Sequence, residues 1–199
     1  MVSSMSTQSL WARSRQAAYA EITAIAMGLF LEQGFEQTTI DQIAAKAGIS
    51  RRSFFRYFGT KEDIVLGDLA ADGERMRDAL ESVPIEQGPW RALRSAFDIV
   101  SALGPDPEIA LRIGTMMYET PSLRARSIEK HLHWQSLLVP NIRLRLARTT
   151  HDSGPAAEAI VASAIACLDV AGEIWTRGKG SQNLADLYDE AVASVRGAG

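Results

Sequence analysis

The chain contains one cysteine, and its continuous apolar runs are short. Cys167 has no partner for an internal disulfide, and one cysteine leaves no room for a cysteine-based zinc site. The richest apolar stretch, Ala159 to Leu168, is shorter than the roughly 20 apolar residues of a membrane span. The N-terminus lacks the long apolar segment of a secretory signal. We therefore expect a cytoplasmic protein with no membrane partner.

Strand patterns are also scarce. The seven prolines and 15 glycines fall mostly between stretches with helical apolar spacing, and alternating strands joined by hairpin turns are hard to find. Hydrophobic residues make up 46% of the chain, which is ample for a core and excludes intrinsic disorder. The sequence therefore predicts an all-α protein of one full-sized domain or of a small domain fused to a larger one.

The charges are nearly balanced overall but uneven locally. The formal net charge is −3, yet five basic residues and no acidic residue lie between Lys46 and Lys61. A basic cluster on a mildly acidic protein indicates a local anionic partner. A solvated charged face remains the alternative from charge alone.

Apolar spacing, caps and breakers predict where the helices begin and end. Residues 1–12 form a flexible arm, and Pro140 should kink or split the helix that contains it. The predicted helices cover about residues 13–33, 39–47, 51–57, 60–83, 89–103, 107–119, 121–149, 155–177 and 182–196.

Residues 39–58 have the layout of a helix, a tight turn and a second helix. Thr39 and Gln42 form a capping-box pattern, and Gly48 permits the turn. A helix-turn-helix places its second helix in the DNA major groove, where arginine bonds guanine and hydroxyls bond phosphates. The side chains that the second helix would expose are Arg51, Arg52, Ser53, Arg56 and Tyr57.

The stretch from Gly34 to Val65 resembles the DNA-binding domain of TetR-family transcriptional regulators. The shared features are two threonines before the second helix, Ile-Ala-x-x-Ala-Gly-Ile-Ser at the turn, Phe-Phe-Arg-Tyr-Phe in the third helix and Lys-Glu opening the fourth. The resemblance implies a three-helix helix-turn-helix domain at residues 13–66 and a helical ligand-binding and dimerisation domain at 67–199. It implies that Thr39, Tyr57 and Lys61 hold phosphates and that Arg51, Arg52, Ser53, Phe55 and Arg56 face bases or nearby backbone. Phe55 stands where many members carry tyrosine, and a core position for its ring remains open.

The segment from Tyr118 to Arg126, with the helix that follows, resembles the subgroup with an acyl-CoA-like ligand-binding domain. The resemblance implies a small, elongated apolar effector. Aromatic residues and flexible methionines suit such a cavity; the alternative is that they simply fill the core. The candidate cavity residues are Trp90, Phe97, Met116, Met117, Trp134, Leu137, Leu138 and Trp175.

The helix predicted at 155–177 is apolar around much of its circumference, so it should be buried on several sides. In the TetR family the last two long helices form a four-helix bundle with a second subunit, which implies a homodimer; a central helix of a monomer is the alternative. The candidate interface residues are Ile160, Ala164, Leu168 and Ala171.

Metal and cofactor chemistry is not expected. His131 and His133 are two residues apart and point to different sides of a helix, whereas metal-binding pairs are three or four apart. Cys167 lies inside an apolar helix and is interpreted as a packing residue.

Three classes of function are open to this sequence. No nucleophile elbow, phosphate loop or His-Glu-x-x-His pattern supports an enzyme. A helical adaptor for a protein partner would not need the arginine cluster. The preferred interpretation is a ligand-responsive transcriptional regulator, usually a repressor, that binds a near-palindromic double-stranded DNA operator as a homodimer.

Overall fold

The computed structural model describes residues 10–67, 69–148 and 155–197. The chain divides into two compact units, Met1–Val65 and Leu66–Gly199. The described part contains ten helices and no strand, which confirms the all-α prediction. They are α1 (Leu10–Gln33), α2 (Ile40–Lys46), α3 (Arg51–Tyr57), α4 (Glu62–Leu66), α5 (Leu69–Ser82), α6 (Pro89–Ser101), α7 (Pro107–Glu119), α8 (Pro121–Ala147), α9 (Ala156–Arg177) and α10 (Leu184–Gly197).

The structure differs from the prediction at the start of α1, in the 60–83 segment and at Pro140, and one prediction lies partly outside the described residues. Helix α1 begins at Leu10, so only residues 1–9 of the predicted flexible arm lie outside the described residues. The helix expected over 60–83 is two helices, because Gly67 adopts a left-handed backbone with φ of +70°. Helix α8 is not divided at Pro140, which lies inside a continuous helix of 27 residues.

The first unit is held together by an aromatic core beneath three short helices. Gly34, with φ of +93°, ends α1, and its N–H donates to the Phe30 carbonyl at 3.0 Å. Phe54 and Phe58 from the end of α3 are buried, with ring centroids 5.4 Å apart, and Tyr19 of α1 lies 4.5 Å from Phe58. The other buried apolar side chains of this unit are Ile22, Ala26, Leu29, Phe30, Phe35, Ile43, Ala44 and Ile64.

The second unit is a helical bundle with α8 and α9 at its centre. Helix α8 packs against α5 and α9, and α9 also packs along α10. Ala157, Ala164 and Ala171 recur every seven residues on the inner face of α9 and have no exposed surface. Small side chains at this spacing allow the neighbouring helices to approach closely. These three inward-facing alanines therefore serve packing within one chain.

A buried arginine joins α8 to the end of α5. The side chain of Arg145 is 3% exposed, and its guanidinium meets no carboxylate within ion-pair distance among the described residues. Burial lowers the pKa of this guanidinium. All five of its N–H groups donate to protein oxygens, so the cation is fully hydrogen-bonded. The acceptors are Asn141 Oδ1 at 2.7 Å and the carbonyls of Pro84 at 2.6 Å, Gln87 at 3.1 Å, Leu80 at 3.0 Å and Val83 at 2.9 Å.

Helix α9 corrects the expectation that no segment could span a bilayer. That expectation rested on the run from Ala159 to Leu168 alone, whereas in the described residues α9 as a whole is long and apolar enough by length and composition. The inner face of α9 is buried against its neighbours, and part of its outer face is apolar and exposed. Such a composition also fits a central bundle helix that covers its outer face with another protein surface.

Candidate nucleic-acid interface and effector cavity

The turn between α2 and α3 is built from local hydrogen bonds that the sequence predicts. At the start of α2, the Gln42 N–H donates to Thr39 Oγ1 at 3.2 Å, and the Thr39 N–H donates to Gln42 Oε1 at 2.8 Å. The predicted capping box is therefore confirmed. Gly48 supplies the left-handed turn with φ of +65°, and Ser50 caps α3 by accepting from the Ser53 N–H at 3.1 Å. These bonds set the direction in which α3 leaves the turn.

Helix α3 presents a polar face above a buried anchor. Phe54 is fully buried, whereas the next ring, Phe55, is 46% exposed. The exposed position of Phe55 favours the interpretation of this ring as a surface residue over a core residue. The remaining side chains divide by exposure: Arg51, Arg52 and Arg56 are exposed, and Ser53 and Tyr57 are half-buried. Six of the eight predicted DNA-binding residues therefore lie on one short helix with a buried anchor, and Thr39 and Lys61 lie outside it.

The three arginines of α3 have different surroundings. Arg51 Nη1 lies 3.0 Å from both carboxylate oxygens of Asp41, and its guanidinium lies 5.8 Å from the Phe55 ring centroid. Arg56 lies 5.4 Å above the ring of Tyr57. The Arg52 guanidinium has neither an ion pair nor a side-chain hydrogen bond in the described part of the chain. Arg52 therefore offers all its donors to a partner.

Lys61 is held by the protein itself. Its Nζ donates to the carbonyls of Phe35 at 2.7 Å and Thr38 at 3.1 Å, and it lies 4.2 Å from the Phe35 ring centroid. An ammonium has three donors, so one remains for a phosphate. Thr38 is itself buried and donates to the Gly34 carbonyl at 2.8 Å. Sequence reasoning missed this structural role, because the acceptors are backbone atoms 23 and 26 residues away.

The second unit contains a cavity of about 880 Å³. Three of the candidate cavity residues, Phe97, Trp134 and Trp175, lie in its wall, together with Leu168, which had been expected at the dimer interface. Sequence reasoning missed Met76 and Tyr188, which also line it. The cavity is thus lined largely by apolar and aromatic side chains, as sites for small apolar molecules are.

The other candidate cavity residues lie elsewhere. Trp90 lines a separate, smaller groove, and Leu138 is fully buried in the core. Met116 and Met117 are half-buried on α7, and Leu137 is half-buried on α8. None of these five is in the wall of the 880 Å³ cavity.

The four candidate interface residues of α9 differ in how far they are buried within the single chain. Ala164 and Ala171 have no exposed surface within the single chain, so their side chains are not accessible to a partner. Ile160 and Leu168 are half-buried and pack against the core. The exposed apolar positions of α9 lie on its opposite side, where Val170 is 50% and Ile174 is 38% exposed.

Hydrogen bonds among three polar residues join α7, α8 and α9. The Tyr118 hydroxyl donates to the Asp169 carbonyl at 3.0 Å, and His131 Nδ1 lies 3.1 Å from Asp169 Oδ2. Burial, with the nearby Asp169 charge, raises the pKa of Tyr118 to about 12. Burial likewise raises the pKa of the Cys167 thiol, so this thiol is less reactive than a free one. The described residues contain no cluster of three or more potential metal ligands.

The fold and its two sites define a helix-turn-helix DNA-binding protein with a separate, cavity-bearing helical domain. The family model of bacterial regulatory proteins of the tetR family matches residues 22–67, and that of the MftR C-terminal domain matches residues 87–198. The chain therefore belongs to the TetR family of transcriptional regulators. Regulators of this family are soluble, ligand-responsive DNA-binding proteins and not enzymes.

Individual relatives agree with this assignment. The chain is 34% identical over 127 residues to the HTH-type transcriptional regulator TcmR of Streptomyces glaucescens, covering 60% of this chain and 56% of that protein. It is 29% identical over 134 residues to the HTH-type transcriptional repressor AcnR of Corynebacterium glutamicum, covering 64% and 63%. The matches thus span less than two thirds of the length of these two relatives.

A solved structure supports the fold. The crystal structure of Thermus thermophilus FadR, a TetR-family transcriptional repressor in complex with lauroyl-CoA, superposes with a TM-score of 0.58 at 21% identity. The superposition covers 88% of this chain and 92% of that chain. At this level of identity the likeness concerns the fold.

Proposed function

We propose that this protein is a cytoplasmic, ligand-responsive repressor that binds a near-palindromic operator as a homodimer. The observation that carries the proposal is helix α3, which exposes three arginines above a buried phenylalanine anchor. Arginine reads guanine bidentately in the major groove, and a rigid helix holds it in register. The candidate DNA-binding residues remain Thr39, Arg51, Arg52, Ser53, Phe55, Arg56, Tyr57 and Lys61.

Dimerisation is assigned to the outer side of α9. Ala159, Ala166, Val170 and Ile174 are exposed, and their spacing of seven, four and four residues places them in one stripe. An exposed apolar stripe on a long helix suits a second copy of the same helix, as in a symmetric dimer. A dimer would place two α3 helices in major grooves about 34–36 Å apart.

The effector is assigned to the 880 Å³ cavity. Its aromatic and aliphatic wall suits an elongated apolar molecule such as an acyl-CoA or another apolar ligand. A repressor of the same fold, FadR, has been crystallised with lauroyl-CoA. The effector releases DNA only to the extent that it binds the DNA-free conformation more tightly than the DNA-bound one.

A competition titration tests the proposal as a whole. Labelled duplex from the DNA flanking the protein's own gene is titrated at two salt concentrations with excess random competitor. We expect saturable binding that survives competition and weakens with salt. Binding that random DNA removes equally would contradict a specific operator at that locus, and no binding at low salt would favour the adaptor function instead.

Arg52 is expected to read a base. Replacing it by alanine should weaken binding to the operator by about 1–3 kcal/mol and relax the preference at one base pair. Arg52→Lys keeps the charge but loses the bidentate fork, so it should lose most of the same preference. Affinities for operators substituted at each position provide the measurement. An equal loss on every sequence would reassign Arg52 to the phosphate backbone.

Lys61 is expected to serve both the fold and the DNA. Lys61→Met removes two hydrogen bonds to backbone carbonyls, so it should lower the free energy of unfolding of the first unit by about 1–2 kcal/mol. It should also reduce the slope of log affinity against log salt by about one. Lys46→Met, which removes an exposed lysine paired with Glu32, is the matched stability control. A Lys61 variant with an unchanged salt slope would place this lysine away from the phosphates.

A further inference from the structure

A second, smaller recess lies between α6 and α10. It is an open groove of about 390 Å³. Three arginines and one aspartate line it, and Trp90 forms part of its wall. The chain as a whole carries a net charge of −3, so this groove is a local positive site on an acidic protein. The proposed DNA-binding surface belongs to the first unit, so DNA binding does not account for this groove.

The three arginines of the groove are not equivalent. Arg94 forms ion pairs with Asp98 and with Asp189, the latter at 2.8 Å, so its charge is compensated. Arg91 and Arg196 are exposed, and in the described part of the chain their guanidinium groups form no ion pair or side-chain hydrogen bond. These two guanidiniums are therefore the groups that an incoming anion would meet.

The groove shares two wall residues with the 880 Å³ cavity. Arg94 and Tyr188 line both recesses. The Arg94 guanidinium lies 5.8 Å from the Tyr188 ring centroid, and the Tyr188 ring packs edge-on against Phe97 at 5.3 Å. The two aspartates hold Arg94 in this position. A mainly apolar recess and a groove rich in arginine thus share this pair of side chains in their walls.

We propose that the groove is the site for the anionic head group, a phosphate or a carboxylate, of an effector whose apolar part occupies the cavity. The proposal rests on the effector function assigned to that cavity. Arginine is suited to this role because its planar fork bonds two oxygens of a phosphate or carboxylate at once. Trp90 lines the same groove as these two arginines and supplies an aromatic surface there. The effector is therefore an amphipathic anion, and a neutral apolar molecule would use only half of the site.

Three probes with the same ten-carbon chain test the proposal by calorimetry on the full-length protein at low salt. They are decyl phosphate, decanoate and decanol. We expect at least one anion to bind about tenfold more tightly than decanol. The double variant Arg91→Gln, Arg196→Gln should lose this preference and keep the affinity for decanol. Arg112→Gln, at an exposed arginine on α7, should behave as the wild type.

The outcomes separate this proposal from the effector function on which it rests. The stronger of the two anions identifies the head group. Equal affinity for all three probes would overturn the anion site but leave an apolar effector cavity. An anion preference that persists in the double variant would also overturn the proposal, because the charge would then be recognised elsewhere. Binding of none of the probes would contradict both the anion site and the elongated apolar effector.

Discussion

Replacing Arg145 by methionine is expected to lower the free energy of unfolding of the Leu66–Gly199 unit by about 3–5 kcal/mol. The methionine fills similar space but donates nothing to the four carbonyls and the asparagine that Arg145 now satisfies. Those carbonyls belong to the end of α5 and the segment after it. The bonds to the Leu80 and Val83 carbonyls are buried, so losing the donor there costs more than the lost bonds alone.

Urea unfolding followed by tryptophan fluorescence measures this effect, because three of the four tryptophans lie in this unit. Arg148→Met is the control, since Arg148 is an exposed arginine three residues away that forms a long ion pair with Glu86 at 3.8 Å. This control should change stability by less than about 0.5 kcal/mol. Both variants are compared with the wild type at one protein concentration. Equal destabilisation by the two variants would mean that the bonds of Arg145 contribute no more than a surface contact.

The double variant Val170→Glu, Ile174→Glu is expected to convert the protein to a monomer and to weaken operator binding by about a hundredfold. Both side chains lie on the exposed stripe of α9, so two carboxylates there would face their symmetry mates across a dimer interface. A monomer can occupy one half-site only, and it loses the gain in affinity from linking two binding units.

Light scattering after size-exclusion chromatography reports the oligomeric state, and a titration on the operator reports the affinity. Leu103→Glu, Ile109→Glu places the same charges at two other exposed apolar positions, outside α9, and should leave both properties unchanged. Because the substituted side chains are exposed in the single chain, the variant should fold, which circular dichroism would check. A dimer that persists in the α9 variant would move the interface to another surface.

Local sequence signals were sufficient for most of the helices and for the helix-turn-helix layout. Thr39, Gln42, Gly48 and Ser50 act on groups within a few residues of themselves, so their pattern predicts caps and a turn without knowledge of the rest of the chain. The break at Gly67 was missed because the apolar spacing continues across it. Pro140 did not divide α8, since tertiary packing on both sides of a proline can maintain a helix that the local signal would interrupt.

The sites depend on contacts between residues that are distant in the sequence. Only the tertiary structure decided which of these residues meet. In the sequence Arg145 looks like an ordinary surface arginine, because the carbonyls that it binds lie 58 to 65 positions earlier in the chain. Periodicity identified α9 as apolar on most sides, but packing decided that Ala164 faces inward and Val170 outward. Composition suggested an aromatic cavity, yet only the bundle geometry separated Trp134 in its wall from Trp90 in the neighbouring groove. Helix caps and apolar period are properties of adjacent residues, whereas cavities and buried charges arise where separate helices meet.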